Sequence, residues 1–183
     1  IIEAEHIVIC AHKSPDGDAL GSSLAWKSYL NQIGKTDVTV CMPDAYPDFL
    51  QWLPEANTVL RYDKNPEKVQ ETFNRADLVC CLDFNQYARV EAMRSTLEGC
   101  KAKRILIDHH LEPQTDNAIT ISQPNMSSTS EMIFYIISQL GGYNDMTKDC
   151  AQCIYCGMMT DTGGFTYNST RPEIYFVIGQ LLS

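Results

Sequence analysis

The chain has 183 residues, 44% of them hydrophobic, which suits one globular domain and is too short for two comfortable ones. No apolar run is long enough for a transmembrane helix, and the first residues lack the basic start and small cleavage residues of a signal peptide. The formal net charge of −9 is unlike the basic footprint of nucleic-acid-binding proteins, so the carboxylates either form a solvated acidic surface or gather in part around cations.

Short apolar runs alternate along the chain with segments of helical periodicity. Apolar strands that alternate with helices are typical of a parallel sheet covered on both faces. The predicted fold is therefore an α/β domain with a doubly wound, mostly parallel sheet flanked by helices on both faces. The predicted elements, in chain order, are strand 6–11, helix 18–33, strands 37–42 and 57–62, helix 66–75, strand 77–82, helix 87–98, strand 103–107, and helices 128–140 and 147–160.

Two helices carry further signals. The helix 128–140 starts with a capping box, Ser128 to Glu131. The last segment, 171–183, begins an amphipathic helix and stops inside it, which predicts that the chain is a fragment or an excised domain.

The eight cysteines, without a secretory signal, indicate free thiols in a reducing compartment, so we expect a cytoplasmic protein. Cys150, Cys153 and Cys156 have the spacing of an iron–sulfur run, but no fourth cysteine followed by proline completes it. We interpret these three as buried small hydrophobic residues of the helix 147–160.

Imidazoles and carboxylates follow the predicted strands and one helix. In open parallel sheets, ligands bind beyond the carboxyl ends of the strands. Three of the four histidines lie at such exits, whereas His6 begins a strand and is interpreted as structural. The residues at the exits are His12, Asp16 and Asp18 after the first strand, Asp83 after the fourth, Asp108, His109 and His110 after the fifth, and Asp161 at the end of the helix 147–160.

So many carboxylates in one crevice would repel each other strongly unless cations neutralise them. A mixture of imidazole and carboxylate suits Mn²⁺ or Mg²⁺, and Zn²⁺ less well because no thiolate is near. Two ions about 3.5–4 Å apart, bridged by a carboxylate, would clamp the attacking and leaving oxygens of a phosphoryl displacement. Each residue alone also has a structural interpretation, as a turn, a helix cap or a helix stop, but one geometric rule brings all of them to one site.

Four segments resemble, in order and spacing, the motifs of the DHH phosphoesterases: HKSPDGDALGS (12–22), LDFN (82–85), DHH (108–110) and GMMTDTGGF (157–165). The resemblance is greatest to the branch of small oligoribonucleases and 3'-phosphoadenosine 5'-phosphate phosphatases, which is related to the RecJ-type nucleases. It implies a Rossmann-like DHH domain and a divalent-metal-dependent hydrolase of short oligoribonucleotides or of that nucleotide.

The resemblance also implies two divalent cations, with Mn²⁺ preferred and Mg²⁺ as the alternative. One ion would be held by His12 and Asp16, the other by Asp18, His109 and Asp161, and Asp83 would bridge both. A water between the ions would be the nucleophile, and a ribose oxygen would leave.

Catalytic and substrate-binding roles are implied as well. His110 would donate a hydrogen bond or a proton at the scissile phosphate, and Asp108 would orient the histidines. Ser127, Ser128, Thr129 and Arg89 are the expected substrate contacts. Helix capping is an equal alternative for the first three, and a structural ion pair is the preferred interpretation of Arg89.

Several alternatives remain at this stage. Inorganic pyrophosphatase or exopolyphosphatase activity would use the same scaffold, and a non-catalytic nucleotide-binding module would be of a different class. Members of the family carry a second, C-terminal DHHA1-type domain that grips the nucleotide, and 1–183 contains no such segment. We therefore expect a single catalytic domain that turns over poorly alone, has nucleotide substrates and no membrane partner, and is compatible with a homodimer.

Overall fold

Six strands form one parallel sheet in the computed structural model, which describes residues 1–183. The spatial order is β3-β2-β1-β4-β5-β6, and every neighbouring pair is parallel. Because the order reverses between β1 and β4, a crevice opens there beyond the carboxyl ends of the strands. The prediction of a doubly wound parallel sheet is confirmed. The strands are β1 His6–Cys10, β2 Asp37–Met42, β3 Leu60–Arg61, β4 Leu78–Leu82, β5 Lys103–Asp108 and β6 Ile119–Ser122.

Helices cover both faces of this sheet. None of them has the length and apolar character needed to cross a membrane. The helices are α1 Gly17–Gln32, α2 Pro66–Arg75, α3 Arg94–Gly99, α4 Thr129–Gln139, α5 Lys148–Asp161 and α6 Pro172–Leu181.

Alternating side chains of the central strands supply two separate cores. In β1, Ile7 and Ile9 enter a core of 32 buried residues shared with α1, α4, α5 and α6. Val8 and Cys10 enter a core of 14 buried residues shared with α2, α3 and the segment Tyr87–Met93. Successive side chains of a strand lie on opposite faces, so an apolar run without alternation forms a strand that is buried on both sides.

Three local predictions differ from the structure. The segment 87–98 is not one helix: Tyr87–Met93 forms 3-10 turns that are interrupted at Glu91, whose φ is 40°, and α3 begins only at Arg94. The third strand has two residues only. The edge strand β6 was not predicted, because its half-exposed residues lack the continuous apolar character of the central strands.

All eight cysteines are free and buried. Burial raises the pKa of Cys150 to about 12, and thiols held in this way are inert. The interpretation of Cys150, Cys153 and Cys156 as buried hydrophobic residues is confirmed. His6 lies at the amino end of β1, where its Nδ1 is 2.7 Å from Asp37 Oδ2, so its structural role is confirmed as well.

Candidate metal centre

The predicted imidazoles and carboxylates come together at the crevice between β1 and β4. Backbone topology explains this convergence, since each residue follows a strand of the parallel sheet or lies at the facing end of a helix. The residues are His12 after β1, Asp16 and Asp18 at the start of α1, Asp83 after β4, Asp108, His109 and His110 at the end of β5, and Asp161 at the end of α5.

The first cluster consists of His12, Asp16 and Asp83. His12 Nε2 lies 3.4 Å from Asp83 Oδ2 and 3.8 Å from Asp16 Oδ2. His12 Nδ1 is 2.7 Å from the carbonyl oxygen of Lys13; a carbonyl only accepts, so Nδ1 carries the proton and Nε2 faces the carboxylates. These distances exceed the 2.7–2.9 Å, roughly, of a charge-assisted hydrogen bond, but they suit atoms that share one cation.

The second cluster consists of Asp18, His109 and Asp161. His109 Nε2 lies 3.3 Å from Asp161 Oδ2 and 3.9 Å from Asp18 Oδ2. The Nδ1 of His109 is 3.3 Å from the carbonyl oxygen of Met126, so this ring is oriented in the same way as that of His12. A backbone carbonyl on the second ring nitrogen is the usual arrangement for a metal-binding histidine.

Asp83 joins the two clusters. Its Oδ2 faces His12, whereas its Oδ1 lies 3.7 Å from His109 Nε2. Asp83 has a φ of 62°, a left-handed conformation that is uncommon outside glycine and carries strain. The hydroxyl of Thr129 donates to Oδ1 at 3.0 Å. One strained residue therefore presents its two oxygens to two separate sets of ligand atoms.

The electrostatics of the crevice fit divalent cations. Burial, together with Asp18, Asp16 and Asp161, raises the pKa of Asp83 well above its usual range. Burial also raises the pKa of Asp18, and burial followed by the charges of Asp18 and Asp16 raises that of Asp161 to about 7. Each charged carboxylate is therefore disfavoured in the protein alone, and a bound cation would reverse that preference.

These shifts predict an inverse dependence of stability on pH. The folded chain raises the pKa of Asp161 to about 7, whereas its ordinary value, retained in the unfolded chain, is 3.8. The folded state therefore binds more protons than the unfolded state in this interval, and the free energy of unfolding falls as pH rises through it. We expect the melting temperature in chelator to drop by roughly a few degrees between these pH values, and saturating Mn²⁺ to remove the drop. A melting temperature that rises with pH in chelator would contradict the assignment.

His110 is held in a different way from the other two histidines. Its Nδ1 lies 2.6 Å from Asp108 Oδ1, and its backbone N–H donates to Asp108 Oδ2 at 3.0 Å. The hydrogen bond that His110 donates to the fully buried Asp108 raises the pKa of His110, against the opposing effect of desolvation. A cavity of about 760 Å³ opens beside His109 and His110. His110 is thus a half-exposed imidazole whose protonation Asp108 favours, beside space for a ligand.

The predicted substrate contacts at the start of α4 are buried and bonded to protein atoms. Ser128 Oγ accepts the N–H of Glu131 at 3.0 Å, which is a helix cap, and Ser127 donates its N–H and hydroxyl to the Glu131 carboxylate, both at 2.8 Å. Thr129 donates its N–H to Asp18 Oδ2 at 2.7 Å. These geometries favour capping and positioning over direct substrate contact.

Arg89 remains available for a ligand. It is exposed, and the structure shows no ion pair to its guanidinium. Its positive charge is close enough to lower the pKa of His110. Its backbone carbonyl accepts the N–H of Lys13 at 2.9 Å, which ties the 3-10 segment to the loop after β1.

Ser130 was not among the predicted site residues, and its backbone N–H donates to Asp18 Oδ1 at 2.8 Å. With Thr129, it turns the first amides of α4 toward a carboxylate, an arrangement that helix N-termini favour. The available signal was the capping box, which locates the free amides of the helix but not the carboxylate that they meet.

The close contact of α5 with this region requires a glycine at 157. A Cβ on Gly157 would overlap the Ser130 side chain and lie 2.9 Å from Asp18 Oδ1. We expect Gly157→Ala to cost about 1–3 kcal/mol of stability and to weaken Mn²⁺ binding. The control is Gly179→Ala in α6, where an added Cβ meets nothing within 4 Å, so helix propensity should stabilise it by up to about 1 kcal/mol. Denaturant unfolding compares the two, and equal stabilities would contradict the packing argument.

Comparison with known proteins gives consistent matches along the chain. The profile of the DHH family, N-terminal domain, matches residues 6–158. The Thermus thermophilus protein named bifunctional oligoribonuclease and PAP phosphatase NrnA is 32% identical over 176 residues, which are 96% of this chain and 49% of that protein. The chain therefore spans about half the length of such curated relatives.

Two solved structures are similar as well. A Bacteroides fragilis protein described as exopolyphosphatase-related superposes with a TM-score of 0.96 and 48% identity, over 99% of this chain and 53% of that chain. Exonuclease RecJ bound to manganese superposes with a TM-score of 0.53 and 15% identity, over 96% of this chain and 43% of that chain. At this identity, the second match shows a common fold only.

Proposed function

The chain belongs to the DHH family, and from that premise we propose that it is the catalytic domain of a hydrolase acting on phosphoester bonds. The substrates that we propose are short oligoribonucleotides and 3'-phosphoadenosine 5'-phosphate, in keeping with the name of the Thermus thermophilus relative. The observation that carries the proposal is the position of Asp83, whose two oxygens face two clusters of imidazole and carboxylate. Such an arrangement suits a pair of cations that act on one phosphate.

We assign one cation to His12, Asp16 and Asp83, and a second to Asp18, His109 and Asp161, with Asp83 shared. When bound, such cations supply Lewis acidity to a phosphoryl oxygen and lower the pKa of a coordinated water. Mn²⁺ is the first choice, since the mixed donor set suits it and the RecJ structure holds manganese; Mg²⁺ is the alternative. The metal-free carboxylates, with their raised pKa values, support the assignment independently of any relative.

The remaining residues act on the substrate directly or through their neighbours. His110, held by Asp108 at 2.6 Å, donates a hydrogen bond or a proton to a phosphate or leaving oxygen from its second ring nitrogen. The free guanidinium of Arg89 binds non-bridging phosphate oxygens, for which its planar pair of donors is well matched. Ser127, Ser128 and Thr129 act through the protein atoms that they bond.

The test is hydrolysis of a diribonucleotide and of 3'-phosphoadenosine 5'-phosphate by the natural full-length protein. We expect Mn²⁺-dependent release of mononucleotide from the first and of phosphate from the second, and loss of both in excess chelator. Tight binding of nucleotide without turnover, in the presence of Mn²⁺, would favour the non-catalytic module instead. If the protein neither bound nor hydrolysed these nucleotides, they would be excluded as its substrates.

Exopolyphosphatase activity is the second candidate. The observation that favours it is the description of the Bacteroides fragilis structure, which is 48% identical to this chain. The same assay should include polyphosphate and pyrophosphate at matched concentrations. A kcat/KM for polyphosphate or pyrophosphate above that for the dinucleotide would reverse the order of the two candidates.

We propose that 1–183 form one domain that supplies the metal ligands, and that the rest of the substrate cleft belongs to residues outside this range. The basis is that the chain spans 49% of the Thermus thermophilus relative. Residues 1–183 alone should bind Mn²⁺ but turn over more slowly than the natural full-length protein, and equal rates would refute this. The homodimer and the cytoplasmic location stay predictions.

A further inference from the structure

We propose that Glu131 and Arg171 form a positioning pair that sets the geometry of the second cluster, Asp18 with His109 and Asp161. The inference rests on the proposed metal-binding function and assigns a purpose to two residues outside the four motifs. Neither residue belongs to a candidate metal cluster. Both act through the segment 125–130, which contacts the cluster at several points.

Glu131 is buried and Arg171 is partly buried, and both side chains are bonded to protein atoms. The side chain of Glu131 has no exposed surface, and that of Arg171 is 29% exposed. Arg171 Nη2 donates to Glu131 Oε1 at 3.1 Å, and its Nη1 lies 3.4 Å from Oε2. Glu131 Oε2 also accepts the N–H and hydroxyl of Ser127, both at 2.8 Å. The carboxylate therefore ties α6 to the residue that precedes the cap of α4.

One connection leads from this pair to His109. Arg171 Nη1 donates to the carbonyl oxygen of Asn125 at 3.0 Å and contacts Met126 Sδ at 3.3 Å. Arg171 and Glu131 thus hold the segment 125–127 at both ends. The carbonyl oxygen of Met126, in the middle of that segment, accepts the hydrogen bond that orients the His109 ring. Movement of the segment would rotate this imidazole away from the cluster.

A second connection leads to Asp18. Because Ser127 is anchored by Glu131, the start of α4 is fixed, and its first two amides donate to the two oxygens of Asp18 at 2.7 and 2.8 Å. The hydroxyl of Thr129 reaches Asp83 at 3.0 Å. Asp18 is fully buried, and the His109 Nε2 atom lies 3.9 Å from its Oδ2, beyond hydrogen-bond distance. The direction of its carboxylate thus depends on the position of these amides.

Stability alone does not account for such a pair. Replacing a buried ion pair with apolar residues of similar size is often neutral or stabilising. The directional bonds to Ser127 and Asn125 are what apolar residues cannot supply. A role in positioning therefore predicts that metal affinity and stability will respond differently to the same substitutions.

The experiment titrates Mn²⁺ into the natural full-length protein, with calorimetry for affinity and electron paramagnetic resonance for coupling between the two ions. We expect Glu131→Gln and Arg171→Gln to weaken one of the two binding events about 10- to 100-fold and to reduce the coupled signal. Arg171→Lys keeps the charge but not the forked geometry, so it should recover only part of the affinity. The control is Lys27→Gln, which removes a pair with Glu55 (2.6 Å) remote from the crevice and should leave both events unchanged.

The double variant Glu131→Met with Arg171→Met separates positioning from stability. It leaves no unpaired buried charge, so its melting temperature should exceed that of either single variant, although Ser127 loses its acceptor, while the Mn²⁺ affinity stays low. Recovery of both would overturn the inference, because the single variants would then act only through stability. Two Mn²⁺ binding events of natural affinity in Arg171→Gln would also overturn the positioning role, but they would not affect the proposed function. If the natural protein did not bind Mn²⁺, the proposed function itself would be wrong.

Discussion

Replacing Asp83 with asparagine should lower the rate of dinucleotide hydrolysis about a thousandfold, since the stabilisation expected from a paired cation site is several kcal/mol. The same substitution should raise the melting temperature of the metal-free protein. Burial and three neighbouring carboxylates raise the pKa of Asp83, and a neutral amide of the same shape removes that conflict. Asparagine also tolerates the left-handed conformation at φ 62°.

The opposite signs of these two effects make the test specific. A variant that merely misfolds loses activity and stability together. The matched control is Asp145→Asn, an exposed carboxylate outside the crevice, which should change neither quantity. Steady-state rates at saturating Mn²⁺ and thermal melts in chelator provide the two measurements. Full activity of Asp83→Asn would exclude Asp83 as a shared ligand.

The second large effect is expected at His110. His110→Gln should lower kcat by about 100- to 10,000-fold, the usual contribution of a general acid or base. KM should change little, and both Mn²⁺ binding events should remain. The reason is that His110 Nδ1 is engaged by Asp108 at 2.6 Å and lies 3.9 Å from Asp83 Oδ1. Glutamine keeps a polar side chain but cannot carry a proton to the leaving group.

Metal affinity decides between two roles for His110, because its ring nitrogen also falls within a group formed with Asp83 and His109. If His110→Gln abolished one of the two Mn²⁺ binding events, His110 would be a metal ligand and not a proton donor. Asp108→Asn provides the companion variant. Since the hydrogen bond that Asp108 accepts from His110 raises the pKa of His110, its loss should move the alkaline limb of the rate profile to lower pH, with a loss of activity of about 10- to 100-fold. If the alkaline limb of the Asp108→Asn profile did not move, Asp108 would not influence the group that titrates there.

The convergence of the candidate ligands could be predicted from the sequence because it follows from a general property of the fold. Apolar runs without alternation form the buried strands of a parallel sheet, and residues after such strands meet at one edge. His12 and Asp83 follow adjacent strands, β1 and β4, at the point where the strand order reverses. Local patterns and one topological rule were sufficient to bring these side chains to one crevice.

Local patterns were insufficient where a residue depends on a partner far along the chain. The capping box at Ser128 was visible, but Glu131 turns its carboxylate to Ser127 and to Arg171, 40 residues away. The kink at Glu91 and the edge strand β6 were also not predicted. Apolar periodicity reveals only elements that are buried, and neither of these is deeply buried.

The sequence by itself determined the fold class, the edge of the sheet that carries the chemistry and the residue types gathered there. The reason is that strand burial and donor chemistry follow directly from the local composition. Only the tertiary structure decided which carboxylate oxygen faces which imidazole, that Asp83 has one oxygen in each cluster, and that the amides of α4 meet Asp18, 111 residues away. The physical reason is that hydrogen bonds and cation sites depend on direction over tenths of an ångström. That precision arises only when distant segments pack together.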